Sequence, residues 1–303
     1  MWSTPHLEQS DLLVAEAAIV RAFEIQNIDH LRVFGFGELG IAIGWPTESP
    51  TVILKRQAPG PRAMVDSDEK RMVEYQRALV AQGVSVLPNT FNRVDLGDGH
   101  FAPYIVQPIV DSEDLLENVL AAATPAPDNE CLLALRKLVV DVVSDTPELG
   151  LSIDAQVTNF AWKDGRLHTL DTTPPLIWDA DSGPFYDVGN YLLALPAPLR
   201  STALRITRRV GDDYRTADGA LFRTVVYLKR IGEDRWVEPA MECFNAVLDK
   251  PVTFDAVEKE YQQAVKDFPR IKMLARIQRR WTRDIRRRRY EFFITDSFKG
   301  EIL

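Results

Sequence analysis

Two short strand-like segments, 160–162 and 167–170, constrain the fold more than any other feature of the sequence. Both have the length and composition of β-strands, and the Asp-Gly dipeptide at 164–165 between them is a strong signal for a tight hairpin turn. A hairpin brings the residue before its first strand next to the residue after its second strand. Asn159 and Asp171 are therefore predicted to lie at the same end of the hairpin.

These oxygen-bearing side chains suit a magnesium site beside phosphates. Mg²⁺ prefers hard oxygen ligands and needs only one or two protein carboxylates where phosphates supply the others. Asn159 and Asp171 are the candidate metal ligands. Asp154, five residues before Asn159, is a candidate catalytic base that orients an acceptor hydroxyl and receives its proton. Because Asp and Asn are also common turn residues, this segment alone leaves a purely structural interpretation open.

A Gly-x-Gly-x-x-Gly motif, formed by Gly35, Gly37 and Gly40, lies upstream. By itself this motif is ambiguous between dinucleotide-binding loops and kinase-type loops. A dinucleotide fingerprint opens a helix, whereas here the strand-like residues 41–45 follow, and a turn with two prolines separates them from a further strand at 51–55. We therefore predict that the glycines let a hairpin backbone close over phosphates.

Lys55 ends this third strand, at the position of the phosphate-contacting lysine in kinase-type nucleotide sites. A solvent-exposed edge lysine is the alternative, which the glycines upstream disfavour. A helix is predicted over 67–82, and either Glu69 or Glu74 could pair with Lys55 and hold it toward the nucleotide. We prefer Glu74 because it lies in the middle of the helix, with a solvated surface glutamate as the alternative.

Two more strands are predicted, at 84–91 and 101–110, with a Gly-Asp-Gly turn at 97–99 before the second. The second strand contains the run 104–110, which would be a hinge strand. Its backbone edge around Gln107 would receive an adenine.

With these features in order, residues 30–200 resemble the protein-kinase-like superfamily, and more closely its aminoglycoside and choline phosphotransferase branch than a protein kinase. The run 79–88 looks like the helix-to-strand passage of that branch. The run 185–193 resembles the Asp-containing helix that follows the metal-binding aspartate, with Asp187 as a structural aspartate that supports the loop.

The resemblance implies a bilobal α+β fold of the protein-kinase-like type. Residues 1–110 would form an N-lobe with an antiparallel sheet and one main helix, and residues 111–303 a largely helical C-lobe. ATP and Mg²⁺ are the implied cofactors. Carried over position by position, the resemblance implies Lys55 on the phosphates, Asp154 as catalytic base, Asn159 and Asp171 on Mg²⁺, and Gly35, Gly37 and Gly40 over the nucleotide.

The sequence departs from the family pattern at two places. Ser152 occupies the position where the family usually has His, two residues before the catalytic Asp, and the segment 172–175, Thr-Thr-Pro-Pro, replaces Phe-Gly after Asp171. No Ala-Pro-Glu segment follows, which argues against a regulated protein kinase. Two functions stay open: an ATP-Mg²⁺-dependent phosphotransferase that moves the γ-phosphoryl group to a hydroxyl of a small molecule or small peptide, and a pseudokinase that binds a nucleotide, peptide or partner without turnover.

Composition excludes several other classes of protein. At 303 residues and 46% hydrophobic content, the chain can bury one large core or two modest ones. No run of 18 apolar residues exists, and the start of the chain has the pattern of a capped amphipathic helix at 8–23, so we expect a cytoplasmic protein without a membrane span. Two cysteines and four histidines, all scattered, argue against a disulfide framework, a zinc site and a Ser-His-Asp site.

Positive charge is concentrated near the end of the sequence. Residues 270–289 contain ten Lys or Arg and one acid, Asp284, which leaves 26 basic and 43 acidic residues elsewhere and formal charges of +9 and −17. The segment would either fold back onto the acidic surface of its own chain or dock an anionic partner. An acidic peptide or a phosphorylated metabolite ranks above nucleic acid or membrane as that partner. Packing against the C-lobe is favoured by a helical apolar stripe of Met273, Leu274, Ile277, Trp281 and Ile285.

Overall fold

The computed structural model describes most of the chain, including all of the predicted nucleotide-contacting and metal-binding positions. The described residues are 2–37, 40–145, 150–178, 204 and 210–291. The predicted helix at 185–193, with Asp187, lies outside them. The described part has a mixed α+β fold, with an antiparallel sheet in its N-terminal portion and a largely helical C-terminal portion, as predicted.

The N-terminal portion begins with a helix and a three-stranded meander. These elements are α1 (Gln9–Ile25), β1 (Arg32–Gly37), β2 (Gly40–Trp45) and β3 (Val52–Arg56). The two strand pairs are antiparallel. Side chains alternate between the two faces of a strand, so Leu54 is buried under the sheet while Lys55 points to the opposite face. This alternation presents Lys55 on the face away from the sheet's own core.

A helix and four more strands complete this portion. They are β4 (Gly60–Pro61), α2 (Arg62–Ala81), β5 (Ser85–Val86), β6 (Thr90–Gly97) and β7 (His100–Pro108). The sheet order is β1-β2-β3-β7-β4, and β6 also pairs with β7. The β6–β7 turn confirms the predicted Gly-Asp-Gly turn, since Gly97, Asp98 and Gly99 have φ angles of 84°, 53° and 74°. The single strand predicted at 84–91 is wrong: β5 and β6 belong to different sheets.

The C-terminal portion is built from helices and five short strands. In chain order it contains α3 (Leu116–Ala122), α4 (Glu130–Val142), β8 (Ser144–Asp145), β9 (Gly150–Leu151), β10 (Phe160–Lys163), β11 (Arg166–Thr169), β12 (Ile177–Trp178), α5 (Ala217–Arg230), α6 (Val237–Asn245) and α7 (Phe254–Arg280). Asn129, Thr216 and Thr253 cap α4, α5 and α7 by accepting hydrogen bonds from backbone N–H groups. Within the described ranges, no helix is both long and apolar enough to cross a membrane.

Two hydrophobic clusters hold these elements together. One lies between α1 and the sheet and includes Ile19, Leu54 and Tyr104. The other joins α4, α5 and α6 to the inner face of α2, through Tyr75 and Leu79. Because α2 belongs to the N-terminal portion in sequence but packs into the second cluster, it connects the sheet to the helical portion.

The basic segment leaves the helical portion and returns to α1 and β3. After α7 the chain forms a π-helical turn, Trp281–Ile285, and then runs back so that Glu291 pairs with Arg56 at 2.7 Å, from Nη2 to Oε2. Arg289 pairs with Glu16 of α1 at 3.4 Å. We call residues 270–291 the C-terminal arm.

The prediction that the apolar stripe of the arm packs against the protein is wrong. Four of its five members are about half exposed or more: Met273 at 55%, Ile277 at 49%, Trp281 at 46% and Ile285 at 63%. The arm is fixed by other residues: Arg289 and Glu291 join the charges on α1 and β3, and Tyr290 between them is buried. The stripe therefore faces away from the core, and we call these four residues the exposed stripe.

Candidate active site

The hairpin β10–β11 brings Asn159 and Asp171 together as predicted. Its strands pair from Phe160 with Thr169 to Lys163 with Arg166. The turn at 164–165 has φ angles of 53° and 70°, which a tight two-residue hairpin requires. Beyond the strands, the backbone N–H of Leu170 donates to the carbonyl oxygen of Asn159 at 2.8 Å. The two candidate metal ligands thus begin and end the same hydrogen-bonded unit.

Lys55 reaches this unit from β3. Its Nζ lies 3.0 Å from Oδ2 of Asp171 and donates to the carbonyl oxygen of Leu170 at 2.9 Å. Both side chains are partly buried. A lysine from the N-terminal sheet and an aspartate from the C-terminal hairpin therefore form one charged centre, although they are far apart in the sequence.

The predicted pairing of Lys55 with a glutamate of α2 does not occur. Glu74 is half exposed and its Oε1 lies 3.8 Å from Nζ of Lys70. Glu69 lies 3.5 Å from Arg93 on β6. The cause is the orientation of α2, which buries Tyr75 in the second cluster and so turns the preceding residue, Glu74, outward.

Gln107 lies in this centre through its side chain. Its buried amide nitrogen donates at 2.8 Å to the carbonyl oxygen of Leu170, the same oxygen that accepts from Lys55. In the backbone, β7 pairs with β6 as far as Val106 and with β3 as far as Pro108. On the β6 side, the backbone of β7 is unpaired only from Gln107 onward, so an adenine could contact it only there. The contact with adenine stays a prediction.

The three glycines lie on the β1–β2 hairpin, which has Gly37 paired with Gly40. Residues 38–39 at its tip lie outside the described part of the chain. A Cβ atom at Gly40 would collide with the carbonyl oxygen of Arg56, so glycine is required there for the close approach of β3. A Cβ atom at Gly35 would meet nothing within 4 Å. The packing of the sheet accounts for Gly40, and the proposed contact with phosphates stays a prediction for all three.

Asp154 lies on the loop before the hairpin, with both carboxylate oxygens engaged. Oδ1 accepts from the hydroxyl of Tyr214 at 2.6 Å, and Oδ2 accepts from the side-chain amide of Gln156 at 3.1 Å. Desolvation raises the pKa of Asp154 above its ordinary value, the Tyr214 hydrogen bond opposes that shift, and the negative charge of Asp171 adds to it. Asn159 donates from its side-chain amide to the backbone carbonyl of Asp154 at 3.3 Å.

Helix α5 holds the same loop from its other side. Thr224 donates from its hydroxyl to the carbonyl oxygen of Ala155 at 2.9 Å, and the hydroxyls of Thr158 and Tyr227 lie 2.9 Å apart. These contacts and the Tyr214 contact were not found from the sequence. No motif links a lone tyrosine to an aspartate 60 positions away.

Ser152 does not replace the histidine that the family pattern leads us to expect. It is fully buried, and its Oγ atom has no hydrogen-bond partner among the described residues. Its backbone is held instead, because the buried hydroxyl of Tyr75 donates to the Ser152 carbonyl oxygen at 2.8 Å. The loop geometry that a histidine would support therefore depends on α2 and α5.

The Thr-Thr segment after Asp171 fixes the orientation of its carboxylate. Oδ1 of Asp171 accepts from the backbone N–H of Thr173 at 2.9 Å and from its hydroxyl at 2.7 Å. Thr172 accepts a hydrogen bond from Gln76 of α2 at 2.9 Å. Oδ1 is thereby held by its own turn while Oδ2 faces Lys55.

The candidate metal ligands, Asn159 and Asp171, suit a metal ion that takes most of its ligands from a bound molecule and from water. In the part of the chain that the structure describes, no group of three or more His, Cys, Asp and Glu side chains could hold a metal ion. Asn159 and Asp171 supply two oxygen donors, since the amide nitrogen of Asn159 already faces Asp154. Two such donors fit Mg²⁺ that takes its remaining ligands from phosphates and water.

Comparisons with known proteins give one family match. Residues 51–279 match the model of a family described as a family of unknown function (DUF6206). No curated protein matches the sequence. Among solved structures, the chain is similar to a double mutant of the PknI kinase domain from Mycobacterium tuberculosis, with 17% identity over 77% of this chain and 82% of that domain and a TM-score of 0.28. A TM-score this low supports no conclusion about fold or function.

Proposed function

The chain belongs to the family of unknown function DUF6206, which assigns it no activity, and from its own geometry we propose that it is an ATP-Mg²⁺-dependent phosphotransferase. The reaction moves the γ-phosphoryl group to a hydroxyl of a small molecule or small peptide. In this proposal the fold is bilobal and protein-kinase-like, of the aminoglycoside and choline phosphotransferase type, with the nucleotide between the sheet and the β10–β11 hairpin.

The ion pair between Lys55 and Asp171 carries the proposal. Phosphoryl transfer needs little covalent chemistry from a protein and depends on positioning and on neutralisation of charge. Lys55 is fixed on a strand, and its Nζ lies 3.0 Å from the carboxylate of Asp171, which follows the hairpin. The lysine would contact the phosphates, and the aspartate would hold their metal ion. The pair is partly buried, which keeps it effective where water would screen an exposed pair.

Asn159 and Asp171 would hold the metal. When bound there, Mg²⁺ would supply positive charge that neutralises the charge developing on the phosphates. Asp171 is prepared for this role because Thr173 fixes one carboxylate oxygen. Asn159 is prepared because its amide nitrogen is engaged with Asp154 and its amide oxygen is turned away from that bond.

Asp154 would orient the acceptor hydroxyl and take its proton. A base acts best when its pKa lies near the working pH, and desolvation moves the pKa of Asp154 in that direction. Tyr214 and Gln156 hold the carboxylate in one orientation. A positioned base of this kind contributes roughly 10²- to 10⁴-fold to a rate.

A pseudokinase is the second candidate, and one observation favours it. Both oxygens of Asp154 already accept hydrogen bonds, so an acceptor hydroxyl would have to share a carboxylate oxygen with Tyr214 or Gln156, which weakens Asp154 as a base. In that case the same site would bind a nucleotide or a peptide without turnover.

Two measurements test the proposal. Purified protein is incubated with ATP or GTP, Mg²⁺ and a metabolite pool, and mass spectrometry follows the gain of one phosphoryl group on an acceptor. In parallel, ATP with Mg²⁺ should raise the melting temperature by mass action, by an amount equivalent to roughly 2.7 kcal/mol at a hundredfold excess over Kd. An unchanged melting curve at millimolar nucleotide would contradict both the enzyme and a pseudokinase that binds nucleotide.

Variants then distinguish the two candidates. Asp171→Ala should remove most of the Mg²⁺-dependent part of the thermal shift. Asp154→Ala should leave nucleotide affinity nearly intact and reduce turnover by about 10²-fold or more. The matched control is Glu48→Gln, which neutralises an exposed acid on the β2–β3 turn and should change neither quantity. Equal turnover in the wild type and the Asp154→Ala variant would show that Asp154 is not the base.

A further inference from the structure

The C-terminal arm presents apolar side chains to solvent along one line. Met273, Ile277, Trp281 and Ile285 follow one another at intervals of four residues, each close to half exposed or more. Such spacing places side chains on one face of a helix, over a length of about 18 Å at 1.5 Å per residue. Among the other exposed large hydrophobic residues of the described chain, Leu13, Val14 and Ile25 lie on α1 and Phe254 and Val265 on α7, and no two of them are four residues apart.

Positive charge accompanies the exposed stripe. Five arginines of the arm are exposed and have no ion-pair partner within the described ranges: Arg280, Arg283, Arg286, Arg287 and Arg288. We call them the arginine cluster. In contrast, Arg289 pairs with Glu16 and Glu291, so it anchors the arm. The anchor and the exposed groups are thus different residues.

We propose that the C-terminal arm docks onto the anionic surface of a phospholipid membrane. The arm would lie in the plane of the interface, with the exposed stripe inserted below the headgroups and the arginine cluster against lipid phosphates. Arginine side chains suit this depth, because their apolar stems lie along hydrocarbon while the guanidinium group stays at the headgroups. Trp281 suits it as well, since an indole ring is apolar with one polar N–H.

A membrane fits these features better than a protein partner does. The exposed stripe runs from α7 into the π-helical turn. A flat surface that is anionic outside and apolar inside complements both the stripe and the arginine cluster at once. A second copy of this chain would offer acidic groups, because the rest of the sequence carries a formal charge of −17. No two of its other exposed large hydrophobic residues in the described ranges are four residues apart, so they provide no matching line.

Flotation with lipid vesicles tests the proposal on the full chain. One vesicle is phosphatidylcholine with roughly one-quarter phosphatidylserine, and the other is phosphatidylcholine alone. The wild type should float with the anionic vesicles, bind the neutral ones at least about tenfold more weakly, and lose most binding when salt is raised from about 0.1 M to 0.5 M. No nucleotide is needed, so this result is independent of any phosphotransferase activity.

Two variants with matched controls identify the surface. Replacing Arg280, Arg283 and Arg286 with Ala should weaken anionic-vesicle binding on the order of a hundredfold, from about fivefold for each charge. The control removes the same charge elsewhere, through Ala at Arg77, Lys250 and Lys259, and should change binding by less than about twofold.

The second variant replaces Ile277 and Trp281 with Ser and should weaken binding by at least about tenfold, because inserted apolar area is lost. Its control replaces Val80 and Val140 with Ser and should leave vesicle binding unchanged. Circular dichroism establishes that each variant is folded.

Three outcomes would overturn the proposal. One is a wild type that floats with neither vesicle. Another is a charge control that loses as much binding as the arginine variant, which would show general electrostatic attraction without a docking surface. The third is a lipid-free dimer in sedimentation that the Ile277→Ser, Trp281→Ser variant abolishes, which would make the occupant a second copy of the chain.

Discussion

Glu16→Gln should destabilise the protein strongly, because Glu16 neutralises a buried arginine. Arg56 is only 2% exposed, and it donates to Glu16 through Nε at 2.7 Å and through Nη2 at 2.8 Å. Burial alone would lower the pKa of Arg56, yet the hydrogen bonds and charge of Glu16 raise it, so the arginine stays ionised. The buried hydroxyl of Tyr104 also donates to Glu16.

The expected loss is about 3 kcal/mol. Removing one partner of a buried ion pair costs roughly 3–5 kcal/mol, because the remaining charge is left uncompensated. The lower end applies here, since Glu291 still pairs with Arg56 at 2.7 Å. For a chain of this size, about 2 °C per kcal/mol gives a fall in melting temperature of roughly 6 °C.

Urea unfolding followed by circular dichroism measures this free energy. The matched control is Glu24→Gln, an exposed glutamate on the same helix, which should change the free energy of unfolding by less than about 0.5 kcal/mol. The double variant Glu16→Leu, Arg56→Met replaces the pair by apolar side chains and should recover most of the loss. The uncompensated-charge explanation would be refuted if Glu16→Gln lowered the free energy of unfolding by less than about 1 kcal/mol. It would also be refuted if the double variant were no more stable than Glu16→Gln alone.

Three further outcomes are expected. Because desolvation raises the pKa of Asp154, its carboxyl group stays protonated to a higher pH in the native state than in the unfolded chain. The protonated carboxyl therefore contributes stability at low pH, and this contribution is lost as the pH rises above about 4. Asp154→Asn should therefore gain stability relative to the wild type between about pH 4 and pH 7, and a difference that does not change with pH in urea titrations would contradict this. Gly40→Ala should lower the melting temperature because its Cβ collides with the Arg56 carbonyl, while Gly35→Ala should not; equal melting curves would remove the steric argument. Burial raises the pKa of Cys131 to about 11, so roughly 0.1% is thiolate at pH 8, and a thiol reagent should label it in urea far faster than in the native protein.

Local signals predicted the elements that a few neighbouring residues determine. The Asp-Gly dipeptide at 164–165 and the Gly-Asp-Gly turn at 97–99 form the turns expected, because both depend on positive φ angles that these residues tolerate. The position of Asn159 beside Asp171 follows from the first of these turns. Turn chemistry is a property of a few residues, so a single sequence is sufficient to detect it.

Contacts between distant elements could not be predicted in the same way. The sequence suggested Glu69 or Glu74 as the partner of Lys55, whereas Lys55 pairs with Asp171 and the rotation of α2 turns Glu74 away. That rotation is set by burial of Tyr75 in a cluster contributed mainly by the C-terminal helices. Tyr214 illustrates the same limit, since its contact with Asp154 depends on where α5 packs.

The arm shows why a periodic apolar pattern does not identify the buried face of a helix. Periodicity indicates that apolar residues share a face, and it predicted the stripe correctly as a line on one helix. Which face is buried depends on the anchors, and here they lie outside the stripe: Glu291 pairs with Arg56, Arg289 pairs with Glu16, and Tyr290 is buried. These anchors attach the arm to the residue next to Lys55 on β3. Because adjacent residues of a strand point to opposite faces, Arg56 can hold the arm on one side of the sheet while Lys55 holds Asp171 on the other.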